Sequence, residues 1–206
     1  MTLKCIRRAL AGRPFSRSQP ASPNLLAAVG LILKPAEANS EVELLLIRRA
    51  ERQGDPWSGQ MALPGGRFDP QDADQYATVV RETREEVGLD LDAYGELLGR
   101  LDDIPATARS MRTGLVIAPY VFALGRGPEL VTNYEVAETL WAPLGPMVRG
   151  EIDAVTEYRV GDDTYELPAF AVQGRVVWGL TYAILQNLFT KIADPSISHN
   201  SPADWG

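Results

Sequence analysis

Histidine and cysteine are nearly absent from this 206-residue chain, which has one of each. His199 lies in the polar stretch "KIADPSISHNSPADWG", so a histidine-rich zinc site or a serine–histidine triad has almost no material to work with. Cys5 alone cannot form an internal disulfide, which fits a reducing compartment, and the chain is expected in the cytoplasm. Long apolar runs are missing too. The longest, "LLAAVGLIL" at 25–33, has nine residues, against roughly 20 for a membrane helix, so no membrane partner is expected. Acidic residues are absent from residues 1–36, which carry Lys4, Arg7, Arg8, Arg13, Arg17 and Lys34. The net charge of −7 therefore leaves −13 on the remainder, which argues against nucleic acid as a partner. The basic start, "LKCIRRAL", reads either as an arginine-rich targeting peptide or as a first helix that packs on the domain.

With imidazole and thiol removed, carboxylates become the leading groups for acid–base work or for holding a hard cation such as Mg²⁺. The length and the 45% hydrophobic content suit one sizeable domain. Ends rich in Pro, Ser and Ala set the folded part at 25–192, with a basic segment at 1–24 and a flexible tail at 193–206. The runs "LLAAVGLIL" and "VELLLI" read as paired strands, "QMAL" as a short one, and "YGELLGRL" and "LVIAPYVFAL" as two more, joined by a charged loop holding Arg109 and Arg112. A hairpin is expected at 161–163 and a closing helix at "LTYAILQNLF". Strands and helices mix without regular alternation, which predicts an α/β (α+β) fold with a mixed sheet covered by helices.

The best-marked element follows the turn cluster "PGGRFDP". Asp72 is placed to cap a helix over 73–87, Gln75 stands three residues on as in a capping box, and Gly88 ends it. At 100° per residue Ala73, Tyr76, Val80 and Val87 form the expected buried stripe, and Glu82, Glu85 and Glu86 share the opposite face. Such a face is either a solvated surface laced by ion pairs or a ligand set for a cation. Arg81, four residues before Glu85, can hold a carboxylate oxygen and fix its rotamer. The Pro-Gly-Gly turn lets backbone carbonyls approach an ion where side chains would obstruct.

The stretch "GGRFDPQDADQYATVVRETREEVGL" resembles the Nudix box, G-x5-E-x7-R-E-U-x-E-E-x-G-U, in which U is a bulky apolar residue. Arg81, Glu82, Glu85, Glu86, Gly88 and Leu89 match it directly. The loop is one residue longer than the general pattern, Asp72 is the acid nearest the loop glutamate, and Thr83 replaces the first apolar position. The longer box with "DPQDAD", the upstream "GQMALPGG" (59–66) and the terminal "VWGLTYAIL" (177–185) are similar to the coenzyme A pyrophosphatase branch. Where that branch carries a histidine before "GQ", this chain has Trp57.

The resemblance implies a Nudix-like α/β/α sandwich and a hydrolase that cleaves a diphosphate linkage in a nucleoside diphosphate derivative. On this reading the substrate is coenzyme A or acyl-CoA, split to 3′,5′-ADP and 4′-phosphopantetheine. ADP-ribose, NADH, dinucleoside polyphosphates and nucleoside triphosphates stand as alternatives, and so does a non-catalytic nucleotide sensor. It also implies Mg²⁺ or Mn²⁺ held by Glu82, Glu85, Glu86 and the carbonyl of Gly65, with Glu82 assisting deprotonation of water and Arg81 orienting a carboxylate. Arg109, Arg112 and Trp57 are candidates for substrate contact, and Glu135 or Glu138 for a further acid. The expected partner is a small-molecule diphosphate, and a homodimer is compatible with the sequence.

Overall fold

The computed structural model describes residues 1–20, 22, 25–36, 41–55, 57–108, 111–125 and 127–193, without the side chains of 107, 108 and 111–113. The first apolar run becomes β1 (Leu26–Pro35), which pairs antiparallel with β2 (Val42–Arg49), setting Leu33 opposite Leu44. β1 also runs parallel to β7 (Met111–Leu124), from Leu26 opposite Val116 to Leu33 opposite Ala123. β3 (Met61–Ala62) and β8 (Val136–Pro143) join β2, β4 (Gly65–Arg67) joins β1, and β5 (Gly95–Arg100) and β6 (Ile104–Ala108) join β7. The sheet is therefore mixed, as expected.

Side chains alternate across a strand, and both faces of this sheet are covered. Leu31, Leu33, Leu44 and Leu46 enter one apolar cluster, while Ile32, Leu45 and Ile47 enter the other. That explains why β1 and β2 read as continuous apolar runs rather than as an alternating pattern. α2 (Gln75–Val87) covers the second cluster with Val79 and Val87. The first is covered by α1 (Leu3–Leu10) through Ile6 and Leu10, and by α5 (Gly179–Ile192) through Ile184, Leu185 and Leu188. A small sheet of β9 (Asp153–Val160), β10 (Asp163–Val172) and β11 (Arg175–Trp178) packs there too, with Phe170 and Val177. The short helices α3 (Leu91–Tyr94) and α4 (Leu144–Val148) lead into β5 and out of β8. The result is the α/β/α sandwich implied by the resemblance. Among the described residues, no helix is long and apolar enough to cross a membrane.

The N-terminal residues are fastened to the domain. The Ser16 amide donates to Asp102 Oδ1 at 2.6 Å, the Ser18 amide to Asp103 Oδ2 at 2.9 Å, and the Asp103 amide to the Ser16 carbonyl at 2.9 Å.

Three local expectations are corrected. The central helix begins at Gln75, not 73, and its cap is Asp74, whose carboxylate accepts from the Ala77 amide at 2.8 Å. Asp72 is unavailable as a cap because Arg81 and Thr78 occupy its oxygens. The buried stripe is not Ala73, Tyr76, Val80 and Val87. Thr78, Val79, Thr83, Glu86 and Val87 are buried, Tyr76 and Val80 only partly so, and Ala73 is exposed outside the helix. The cause is the close seat of α2 on β1, where a Cβ added to Gly30 would lie 3.3 Å from Val79 Cγ2. This rotates Glu86 inward, away from the solvent-facing side. Finally, the expected charged loop between two strands holds β6 and the start of β7. Arg112 is a strand residue opposite Thr107, with its side chain outside the described set, and all of Arg109 lies outside it as well.

Candidate active site

β4 and α2 build the site together. Gly65 has φ 141°, and a Cβ there would stand 2.2 Å from the Ala28 carbonyl oxygen. Only glycine lets β4 lie so close to β1 in this conformation. At Gly66 an added Cβ would stand 2.5–2.6 Å from the atoms of the Glu82 carboxyl group. The two glycines thus form a cradle into which Glu82 fits. The Gly65 amide donates to Glu86 Oε2 at 2.8 Å, tying the other carboxylate to the same turn.

Arg81 organises the third side. Its Nε and Nη2 grip both oxygens of Asp72 at 2.9 and 3.0 Å, and Nη2 also reaches the Arg67 carbonyl at 3.1 Å. Nη1 donates to Glu82 Oε1 at 2.9 Å and to Glu85 Oε2 at 3.2 Å. A planar fork with five N–H donors is what permits this division of labour. The Arg81 pair holds the Asp72 carboxyl well below its ordinary range, at about 2, and Asp72 in turn raises the Arg81 pKa.

The glutamates occupy three different environments. Glu86 is 3% exposed, and burial pushes its pKa up to about 8, with the neighbouring Glu82 charge acting in the same direction. Burial also raises Glu82, against the pull of Arg81 and with the repulsion of Glu85 and Glu135. The Glu85 side chain is 55% exposed. Buried carboxylates that repel one another are stabilised by a cation. Among the described residues, no three His, Cys, Asp or Glu side chains already stand close enough to hold an ion, since Arg81 sits between Glu82 and Glu85. The donor set is nonetheless all oxygen, and the Gly66 cradle keeps a bulky side chain away from it, so the residues present fit a hard divalent cation.

Glu82, Glu86, Gly65 and Gly66 open onto a cleft of about 310 Å³. Glu135, Arg49 and Trp57 line it as well. Its apolar wall comes from Met61 on β3 and Leu63 just after it, Leu115 and Ile117 on β7, and Leu180 and Ile184 on α5. Thr181 Oγ1 donates to the Met61 carbonyl at 3.0 Å and locks α5 to the segment before the glycines. The stretches "GQMALPGG", "RETREEVGL" and "VWGLTYAIL", far apart in the chain, therefore meet in one place.

Of the residues expected at the site, Glu82, Glu86, Gly65 and Trp57 share this cleft, whereas Arg81 and Glu85 do not line it and connect to it through the Arg81 bond to Glu82. Gly65 enters through its amide. Of the two candidate further acids, Glu135 lines the cleft, whereas Glu138 is held on β8 by Arg48 at 3.3 Å and Arg175 at 2.8 Å. Sequence reasoning missed the role of Asp72, which it took for a cap, and it gave Arg49 no role. A bulge in β2 between Arg48 and Arg49 breaks the strand period, and Asp55 holds the Arg49 guanidinium at 2.8 Å. The apolar wall was legible only as a terminal motif.

Comparison with known proteins shows the family and the fold. The NUDIX domain family model matches residues 24–154. The human mitochondrial coenzyme A diphosphatase NUDT8 is 31% identical over 89% of this chain and 75% of its own length. An uncharacterized protein of Schizosaccharomyces pombe is 30% identical over 76% of this chain, which spans only 58% of that protein. Among solved structures, the bifunctional NMN adenylyltransferase/ADP ribose pyrophosphatase of Francisella tularensis, complexed with AMP and a manganese ion, superposes with a TM-score of 0.53 at 16% identity. The match covers 85% of this chain and 44% of that one.

Proposed function

The chain belongs to the Nudix family of hydrolases, and we propose from this that it is a divalent-metal-dependent pyrophosphatase acting on coenzyme A or an acyl-CoA. The products are 3′,5′-ADP and a 4′-phosphopantetheine. The observation that carries the reading is the cleft's division into a carboxylate end at Glu82 and Glu86 and an apolar wall at Trp57, Leu115, Leu180 and Ile184. A diphosphate suits the first and a pantetheine arm the second. The human relative named as a coenzyme A diphosphatase supports the same substrate. We place the enzyme in the cytoplasm on its single cysteine.

Glu82, Glu85 and Glu86, with the carbonyl of Gly65, would hold Mg²⁺ or Mn²⁺. When bound, the ion supplies charge neutralisation for two adjacent phosphates and acidifies water in its shell. The chain's own residues do the rest. Arg81 occupies Glu82 Oε1 and fixes that side chain, leaving the other oxygen to take a proton from the attacking water. Asp72 holds Arg81 in turn, so the loop before α2 sets the rotamers of both Glu82 and Glu85. The apolar wall excludes water from the non-nucleotide half of the substrate.

The test is a substrate panel with Mg²⁺ or Mn²⁺ and both products identified by mass spectrometry. Rapid conversion of coenzyme A to 3′,5′-ADP and 4′-phosphopantetheine, lost in Glu86→Gln, is the expected result. Turnover of ADP-ribose or a nucleoside triphosphate with none of coenzyme A would remove the substrate and leave the chemistry.

A further inference from the structure

One exposed aromatic ring directly precedes Glu135, a residue of the cleft lining, and stands outside the chemistry described so far. Tyr134 is 80% exposed, more than any other large apolar or aromatic side chain among the described residues. Isolated exposed rings are ordinary on protein surfaces, but this one is backed by a guanidinium that is itself anchored. The Arg52 guanidinium stacks over one face of the ring, 4.9 Å from its centroid. The same guanidinium donates from Nη1 to Glu135 Oε1 at 3.0 Å, and Glu135 lines the cleft.

The backbone beneath the ring is equally fixed. The Val131 amide donates to the Val87 carbonyl and the Asn133 amide to the Glu86 carbonyl, both at 3.0 Å. The Glu135 amide donates to Asn133 Oδ1 at 2.8 Å, and the Ala50 amide to the Glu135 carbonyl at 2.8 Å. The loop is thus bonded to Glu86 itself, so the distance from the ring to the buried carboxylates is set by the fold. With Arg52 over one face, the ring stays open to solvent one residue before Glu135, which lines the cleft.

We propose that Tyr134, backed by Arg52, is the stacking platform for the nucleobase of the substrate and so determines its affinity for the nucleotide half. The assignment rests on the reading of the cleft as the diphosphate site. Stacking needs only a planar π-face, so the platform accepts any base, and selectivity among bases must come from elsewhere. Arg52 is a positioning residue here: by immobilising the ring it removes the rotamer freedom that binding would otherwise have to freeze.

The experiment titrates the full chain, followed by ligand-observed NMR, with AMP and with ribose 5-phosphate. These ligands share sugar and phosphate and differ in the base. In the wild type AMP should bind about tenfold more tightly, within a range of roughly 5- to 150-fold for one stacked base. Tyr134→Ala should bring AMP to the level of ribose 5-phosphate, while Tyr134→Phe keeps the preference. Coenzyme A hydrolysis, measured in parallel, should show a raised KM with kcat little changed in Tyr134→Ala. Equal affinities in the wild type, or an undiminished preference in Tyr134→Ala, would overturn the platform while leaving hydrolysis intact. Absence of binding by either ligand together with absence of hydrolysis of any diphosphate would overturn the cleft reading, and the platform with it.

Discussion

Glu86→Gln separates the electrostatic cost of the site from its chemistry. In the metal-free protein, burial raises the Glu86 carboxyl from 4.5 to about 8. A carboxyl with a raised folded pKa contributes stability that is fully present below its unfolded value and is lost as pH climbs through the folded value. The wild type should therefore weaken progressively between about pH 4.5 and pH 8. Each unit of displacement is worth about 1.4 kcal/mol, which caps the loss at about 5 kcal/mol. Water entry and local relaxation bring the expected figure to about 2–3 kcal/mol. Glutamine keeps the shape and still offers an oxygen to the Gly65 amide, but it cannot ionise. Thermal unfolding in EDTA from pH 5 to pH 9 should show the two proteins diverging, with Glu86→Gln the more stable above pH 8 by roughly 5–10 °C. Titrating groups remote from Glu86 are common to both chains and cancel in the difference; Glu82, whose charge acts on Glu86, contributes to it in the same direction. Adding Mn²⁺ at pH 8 should raise the wild-type midpoint and leave the variant nearly unmoved. Parallel pH profiles in EDTA would refute the reasoning, because they would mean that Glu86 does not carry a buried charge.

Arg81→Lys keeps the charge and loses the fork, so kcat should fall at least tenfold with little change in KM in a steady-state assay; a raised KM at constant kcat would mean that Arg81 touches substrate. Thr83→Val should raise stability by about 1 kcal/mol in urea denaturation, because Thr83 Oγ1 is buried without a hydrogen-bond partner. Glu138→Gln should leave kcat within twofold and cost no more than about 1 kcal/mol, since its ion pairs with Arg48 and Arg175 lie on β8 away from the cleft. Asp72→Asn should lower kcat through Arg81. It should also remove stability that the wild type holds above pH 3.8 and loses as pH falls through about 2, a difference of about 1–2 kcal/mol by acid titration of the unfolding midpoint.

The layers and most strands of this fold were legible because apolar periodicity reports burial directly. Ile32 and Leu33, adjacent in the chain, go to opposite faces of a sheet covered on both sides, and the unbroken run around them says as much. The rotation of α2 was not legible. Val80 is more apolar than Thr78 and Thr83, yet the threonines are buried, because the close approach of Val79 to Gly30 and of Glu82 to Gly66 turns the helix toward those residues. The carboxylates were found through their spacing in the helix. Arg49 was not, because the bulge in β2 that accompanies its place in the cleft leaves no mark in composition. β6 was read as loop because Pro105 and the short run around it lack the length of a strand signal.

Asp72 shows how a departure from a motif can preserve its mechanics. The box has one extra residue between the glycines and the helix, and the acid nearest the expected glutamate is one methylene shorter. Together they leave Asp72 gripping Nε and Nη2 at 2.9 and 3.0 Å, with Thr78 Oγ1 and the Asp69 amide also donating to it, at 2.8 and 3.0 Å. The turn at 69–72 is closed by the Gln71 amide, which donates to Asp69 Oδ1 at 2.8 Å, and by the Asp72 amide, which donates to the Asp69 carbonyl at 2.9 Å. Asp74 then supplies the helix cap that Asp72 cannot. Three aspartates of one six-residue segment do three separate jobs: Asp69 folds the turn, Asp72 anchors the arginine and Asp74 starts the helix. A substitution at Asp69 should therefore act on the same glutamates as one at Asp72, through the position of the arginine that aims them.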